Sequence, residues 1–176
     1  NMGALENTYR VWNAAISRFD YSGQTFSLGI SMGALPATLL GLTGRIPLEA
    51  TIVVAGVLNL PDIYRRSDPV YPRSLTRAYS LPARVSDEQL AFATVPHDPI
   101  YGTLFFKKLD IPYLAVASRG DGRVTLERNA GTFVRQMQPF QQDSRVLEVT
   151  GPHLSAAHFS LEVSRAALEF LGKYRR

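Results

Sequence analysis

Three residues of this sequence have the types and the order that acyl chemistry on a serine requires. Gly29-Ile30-Ser31-Met32-Gly33 fits the pattern G-x-S-x-G, between a short β-rich run at residues 25–30 and a helical stretch reaching about Leu42. In that setting the serine sits on a tight strand-to-helix turn that pushes its Oγ clear of the sheet. The flanking glycines are expected to relieve crowding between strand and helix. The backbone N–H of Met32, at the start of the new helix, could donate to a developing oxyanion. The plainer alternative is an ordinary βα turn with a serine cap and packing glycines.

A serine hydroxyl needs a base to take its proton. The chain offers His97, His153 and His158. His153 follows the last strand-like run in Val149-Thr-Gly-Pro-His153, at the sheet edge where Ser31 also emerges. His158 falls one turn into the final helical stretch and reads as packing or surface. His97 lies beside Asp98 and Pro99 in a segment where it could line an active-site mouth, although a lid-surface place is the plainer reading. An acid must orient the imidazole. Asp121, in Ser118-Arg-Gly-Asp-Gly-Arg-Val124, sits on a glycine-rich turn after another strand. Asp62, after the strand ending near Gly56, is the rival. Ser31, Asp121 and His153 occur in the order Ser…Asp…His. Arg119-Gly120-Asp121 also spells an integrin-binding tripeptide, which is read as accidental. No histidines have metal-ligand spacing, and no phosphate loop or dinucleotide fingerprint occurs. The sequence therefore implies no cofactor.

The elements that must position these residues alternate. Apolar residues recur at helical spacing over 8–19 and again over 155–173. Runs at 50–56, 111–117 and 144–150 are apolar and rich in β-branched residues, as buried parallel strands are. A helix is expected over 126–137. The fold class is thus α/β, with a mostly parallel sheet and right-handed crossovers. The exception is residues 58–109, which hold six prolines. It also holds short amphipathic pieces such as residues 86–93, and a structureless loop of that length is improbable, so it reads as an inserted cap. The resulting organisation is 1–57 with the serine turn, 58–109 as cap, and 110–176 with Asp121 and His153. Tyr64, Tyr71, Tyr79, Phe92, Tyr101, Phe105 and Phe106 of the cap either line an acyl pocket or pack the cap itself.

Composition bounds the remaining possibilities. The 176 residues are 45% hydrophobic and 19% charged, a globular profile with enough chain for one substantial core. A net charge of +4 comes from scattered basic residues, not from the stripe with interleaved aromatics that nucleic-acid binding uses. It could attract an acidic protein or anionic substrate, although a solvated basic surface explains it as well. Without cysteine, disulfides and thiol catalysis are excluded. The apolar stretch at 26–42 is broken by Pro36, hydroxyls and glycines, so no membrane span is expected. No secretory leader pattern opens the chain, and a cytoplasmic location is the expectation.

The elbow Gly29-Ile-Ser31-Met-Gly33, the turn Gly120-Asp121-Gly122 and Gly151-Pro-His153 together resemble the α/β-hydrolase superfamily, over its C-terminal two-thirds. Within it, Ala55-Gly-Val-Leu-Asn-Leu60 is similar to a G-V-V-N-L segment of the acyltransferase/thioesterase branch, typified by the bacterial bioluminescence myristoyl-carrier-protein thioesterase. The spacings of 90 positions from Ser31 to Asp121 and 32 from Asp121 to His153 are also close to that branch. Unlike its best-known member, this chain keeps both elbow glycines. The resemblance implies a serine esterase or thioesterase, with acyl transfer through the same residues as an alternative. It implies a small acyl substrate, which could be carried on an acidic acyl carrier protein. The superfamily has several strands before the nucleophile strand, where about two dozen residues precede it here. The expectation is a fragment or processed product whose sheet is completed by a missing N-terminal segment or a partner chain. A non-catalytic interaction protein on a partial hydrolase scaffold is the alternative from another class.

Overall fold

A computed structural model describes residues 2–66, 70–102 and 108–175. Its centre is a four-stranded, fully parallel sheet made of β1 (Phe26–Ile30), β2 (Ala50–Val54), β3 (Tyr113–Ser118) and β4 (Arg145–Val149), ordered β1-β2-β3-β4. Register runs Gly29↔Val53 and Ile30↔Val54 between the first pair, and Ser118↔Val149 between the last. Every residue of β2 and β3 is buried, which explains their continuous apolar sequence.

Alternate residues serve opposite faces. Val53, Tyr113, Ala115 and Ala117 face a core completed by α2 (Ala34–Leu42) and α6 (Ala130–Met137). There Tyr113 and Phe133 meet edge to face, with ring centroids 4.9 Å apart. Ile52, Val54, Leu114 and Val116 face Val163 and Phe170 of α7 (Leu161–Gly172). A third cluster joins α1 (Met2–Arg18), through Leu5, to Leu35 and Leu39 of α2. It also takes in α3 (Leu60–Arg66) and α4 (Val70–Ala78), through Ile63 and Leu75.

Three helical expectations shift in detail. The first helix begins at Met2, earlier than its apolar spacing implied. The helix expected from residue 126 begins at Ala130, because Leu126 and Asn129 are buried in the turns before it. The final helix begins after Ser160, whose Oγ accepts from Val163 N, whereas residues 156–159 form a separate 3-10 turn. Ser155 does not cap that helix, because its Oγ bonds Thr150 O and His158 instead. His158 therefore lies before the helix, fully buried.

Between β2 and β3 the described residues fold into α3, α4 and α5 (Asp87–Thr94). A Ser86/Gln89 capping box starts α5. Two buried polar residues anchor this segment. Asn129 Oδ1 accepts from the backbone N–H groups of Leu58 and Asn59. Asp98 accepts from Leu60 N on one oxygen and from Ile100 N and Tyr101 N on the other. Among the described residues, no helix is long and apolar enough to cross a membrane.

Candidate active site

β1 ends at Ile30 in extended geometry, and the next residue, Ser31, takes φ +50°. A non-glycine residue in this left-handed region is strained, and here the surroundings hold it there. Ser31 O accepts from Val57 N, and the following 3-10 turn leads directly into α2. The two elbow glycines differ in their reasons. A Cβ on Gly29 would lie 2.5 Å from Ala34 Cα, so only glycine lets α2 cross β1 this closely. A Cβ on Gly33 would meet nothing within 4 Å. The expectation that both glycines relieve crowding thus holds for Gly29 alone.

Ser31 Oγ lies 2.9 Å from His153 Nε2. On the other side of the ring, His153 Nδ1 lies 2.7 Å from Asp121 Oδ2. The Asp121 side chain is almost wholly buried and that of His153 is 11% exposed. Asp121 Oδ1 accepts from the backbone N–H groups of Arg123 and Val124, so both carboxylate oxygens are occupied and the rotamer is fixed. Ser31, Asp121 and His153 follow the carboxyl ends of β1, β3 and β4. The parallel sheet brings residues 122 positions apart into one hydrogen-bonded chain for this reason.

The other candidates lie elsewhere. Asp62 is buried against the turn before α6, accepting from Asn129 Nδ2 at 3.3 Å and pairing with Arg128 at 3.4 Å. His158 Nδ1 meets Ser155 Oγ at 3.1 Å. His97 packs near the Tyr79 ring, and burial lowers its pKa. Burial also pushes the Tyr79 phenol up to about 12, with the nearby Asp98 charge adding to the shift. Asp98 is itself raised to about 6 by burial, against the opposing pull of its three backbone donors. Among the described residues no cluster of His, Asp or Glu is placed to hold a metal ion.

Beside the elbow is an apolar cleft of about 440 Å³, lined among others by Met32, Gly33, Leu35, Leu39, Tyr71 and Tyr79. Of the cap aromatics, Tyr71 and Tyr79 line it, whereas Tyr64 packs into the neighbouring core. Phe92, 85% exposed, and Tyr101, 46% exposed, do not line this cleft. Phe105 and Phe106 lie outside the described residues.

No protein-family model matches the chain, and no curated protein is similar to it in sequence. Solved structures do match. An esterase of Pyrococcus furiosus superposes with TM-score 0.67 at 18% identity, covering 97% of this chain and 61% of its own. The monoacylglycerol lipase of Paleococcus ferrophilus gives 0.60 at 14%, covering 97% and 76%. An α/β hydrolase enzyme from a Medee basin deep-sea metagenome library gives 0.54 at 12%, covering 96% and 72%. The chain has an α/β-hydrolase fold. The four parallel strands form part of the sheet of that fold, and the chain spans 61% of the length of the Pyrococcus esterase.

Within an α/β-hydrolase fold, two features of the site went unread in the sequence. Ser118 and Ser155 hydrogen-bond the loop that carries His153. Asp98, noted only as a neighbour of His97, holds the start of α3. A lone serine at a strand end gives no signal of a cross-loop bond, whereas Asp before Pro99 is a turn signal that could have drawn notice.

Proposed function

We propose that this α/β-hydrolase chain carries the catalytic residues of a serine hydrolase that cleaves acyl esters or thioesters. The observation behind this reading is the unbroken path from Ser31 Oγ through the His153 ring to Asp121, with Ser31 at φ +50° on its turn. In the forward step His153 Nε2 takes the Ser31 proton as Oγ attacks the acyl carbon. Asp121 holds the imidazole in the tautomer with Nδ1–H and stabilises the cation that forms. The Met32 N–H supplies a donor for the oxyanion. His153 then gives its proton to the leaving oxygen or sulfur, releasing alcohol or thiol and leaving an acyl-serine. Water attacks that ester with His153 again as base, and Ser31 regains its proton as the acid departs.

The cleft beside Met32 suits the hydrocarbon part of such a substrate, since its lining is apolar and it adjoins the oxyanion donor. Tyr71 and Leu75 of α4, with Tyr79 just after it, also line the cleft, in keeping with a reading of residues 58–109 as a cap. The esterase and lipase among the structural neighbours are in keeping with this chemistry. Labelling of the whole protein by a serine-directed fluorophosphonate tests it. The parent is expected to label once and to lose turnover on labelling, whereas Ser31→Ala is expected neither to label nor to turn over substrate. Labelling that persists in Ser31→Ala would overturn the assignment.

A further inference from the structure

Asp121 and His153 belong to different loops, on β3 and β4, and a buried hydroxyl also bonds the two loops to each other, beside the Arg119–Glu148 ion pair at their surface. Ser118, the last residue of β3, is 1% exposed. Its Oγ lies 2.7 Å from Gly151 O and 3.0 Å from Gly120 N. A hydroxyl has one hydrogen, so Ser118 donates across to the His153 loop and accepts from its own acid turn. Its carbonyl also accepts from Asp121 N at 3.2 Å. Ser118 thus bonds the backbone of the acid turn at Gly120 and Asp121, and that of the His153 loop at Gly151, two residues before His153.

The loops are shaped around this contact. Gly151 adopts φ +95°, a conformation that suits glycine alone, and that turns its carbonyl toward Ser118. A Cβ on Gly120 would come within 3.0 Å of the same carbonyl oxygen. On the far side of His153, Ser155 Oγ lies 3.1 Å from Thr150 O and closes the arc of residues 150–155. Ser155 spends its hydrogen on Thr150 O, so it must accept from His158, and the buried His158 ring carries its proton on Nδ1. His153 sits at the crown of an arc closed by Ser155 and moored to the acid turn by Ser118.

Resting on the serine-hydrolase reading, we infer that Ser118 is a positioning residue, whose bond to the Gly151 carbonyl sets the Asp121–His153 contact. The test is turnover of an activated ester by the whole protein, expressed per active site titrated with fluorophosphonate. Ser118→Ala is expected to lower kcat per titrated site about tenfold, with KM within about twofold, since small displacements of catalytic groups are costly. The far-downfield proton resonance of the His153–Asp121 bond should broaden or shift. Gly120→Ala, which crowds the same carbonyl, should act in the same direction. It decides the matter if Ser118→Ala does not accumulate as folded protein. A hydroxyl with a structural role only would lower the melting temperature and the number of titrated sites while leaving kcat per site unchanged, and that result overturns the inference. If Ser31→Ala still turns over, the serine-hydrolase reading fails first. If Ser31→Ala is inactive while the Ser118 and Gly120 variants match the parent per site, the Ser118 inference alone falls.

Discussion

Asp121 and His153 meet through one carboxylate oxygen only. Oδ2 faces His153 Nδ1 at 2.7 Å, while Oδ1 is held by the N–H groups of Arg123 and Val124. This division fixes what an isosteric change would do. In Asp121→Asn the amide oxygen takes the Oδ1 place, because two donors point at it, and the NH2 group then faces His153. The imidazole is driven to carry its proton on Nε2, where it cannot accept the proton of Ser31. Steady-state kinetics should show kcat lower by about 10³- to 10⁴-fold with little change in folding.

The elbow glycines should separate cleanly. Gly29→Ala puts a methyl 2.5 Å from the Ala34 backbone, where no side-chain rotation can relieve it. Strand and helix must part, at a cost of about 1–3 kcal/mol or more, and the melting temperature should drop together with activity. Gly33→Ala meets open space at an ordinary helical φ and should leave the melting temperature near that of the parent.

Strain at Ser31 gives a comparison between two inactive variants. Both Ser31→Ala and Ser31→Gly lose the bond to His153, but only alanine keeps a Cβ at φ +50°. The glycine variant should therefore be the more stable by up to about 1 kcal/mol, after its greater unfolded-state freedom is set against the strain released. Differential scanning calorimetry at one pH would measure the gap. A lower melting temperature for Ser31→Gly would contradict it.

Asp98 makes a pH-dependent contribution of known sign. Its folded pKa of about 6 lies above the ordinary value of 3.8. The folded state therefore holds this proton more tightly than the unfolded state, so the contribution to stability is largest below pH 4. It declines as pH rises from about 4 through about 6 and is constant above. Asp98→Asn should flatten this part of the parent's profile. It should also lower stability throughout by about 1–3 kcal/mol, since its NH2 group would confront Leu60 N–H. Urea unfolding of both proteins across pH 4–8 checks both expectations.

The apolar cleft predicts a dependence on acyl length. Leu39→Phe adds bulk where Leu39 lines it, and should reduce turnover of a p-nitrophenyl dodecanoate relative to p-nitrophenyl acetate by about tenfold. Equal effects on both esters would place the acyl chain elsewhere.

The sequence made the sheet legible because β2 and β3 are buried on both faces and so are written as unbroken apolar runs. The elbow was legible because its glycine, serine and strand-helix context occur together. In the 58–109 segment the amphipathic piece at 86–93 made α5 legible, whereas α3 and α4 were not, because Pro61 and Pro72 interrupt their apolar spacing. Ser160 and Ser155 are equally good caps by type, and only the demand of Thr150 O and His158 on Ser155 selects between them. Asp121 and Asp62 both follow strands. Their difference arises three-dimensionally, since Asp62 is turned toward Asn129 and Arg128.

The strand order assigns unequal mechanical duties to the three residues. Asp121 hangs from β3, an interior strand with all six residues buried, while Ser31 and His153 hang from β1 and β4, the outermost described strands. Those two strands stand three inter-strand spacings apart, roughly 14 Å, and sheet twist accumulates across each spacing. The acid is thus the fixed datum, moored to the base by Ser118. The serine is sited by β1 and by Val57 N, which donates to Ser31 O, so its 2.9 Å contact with His153 reaches across the whole described sheet. A change in sheet twist would therefore act more on the Ser31–His153 contact, which spans three inter-strand spacings, than on the Asp121–His153 contact, which spans one.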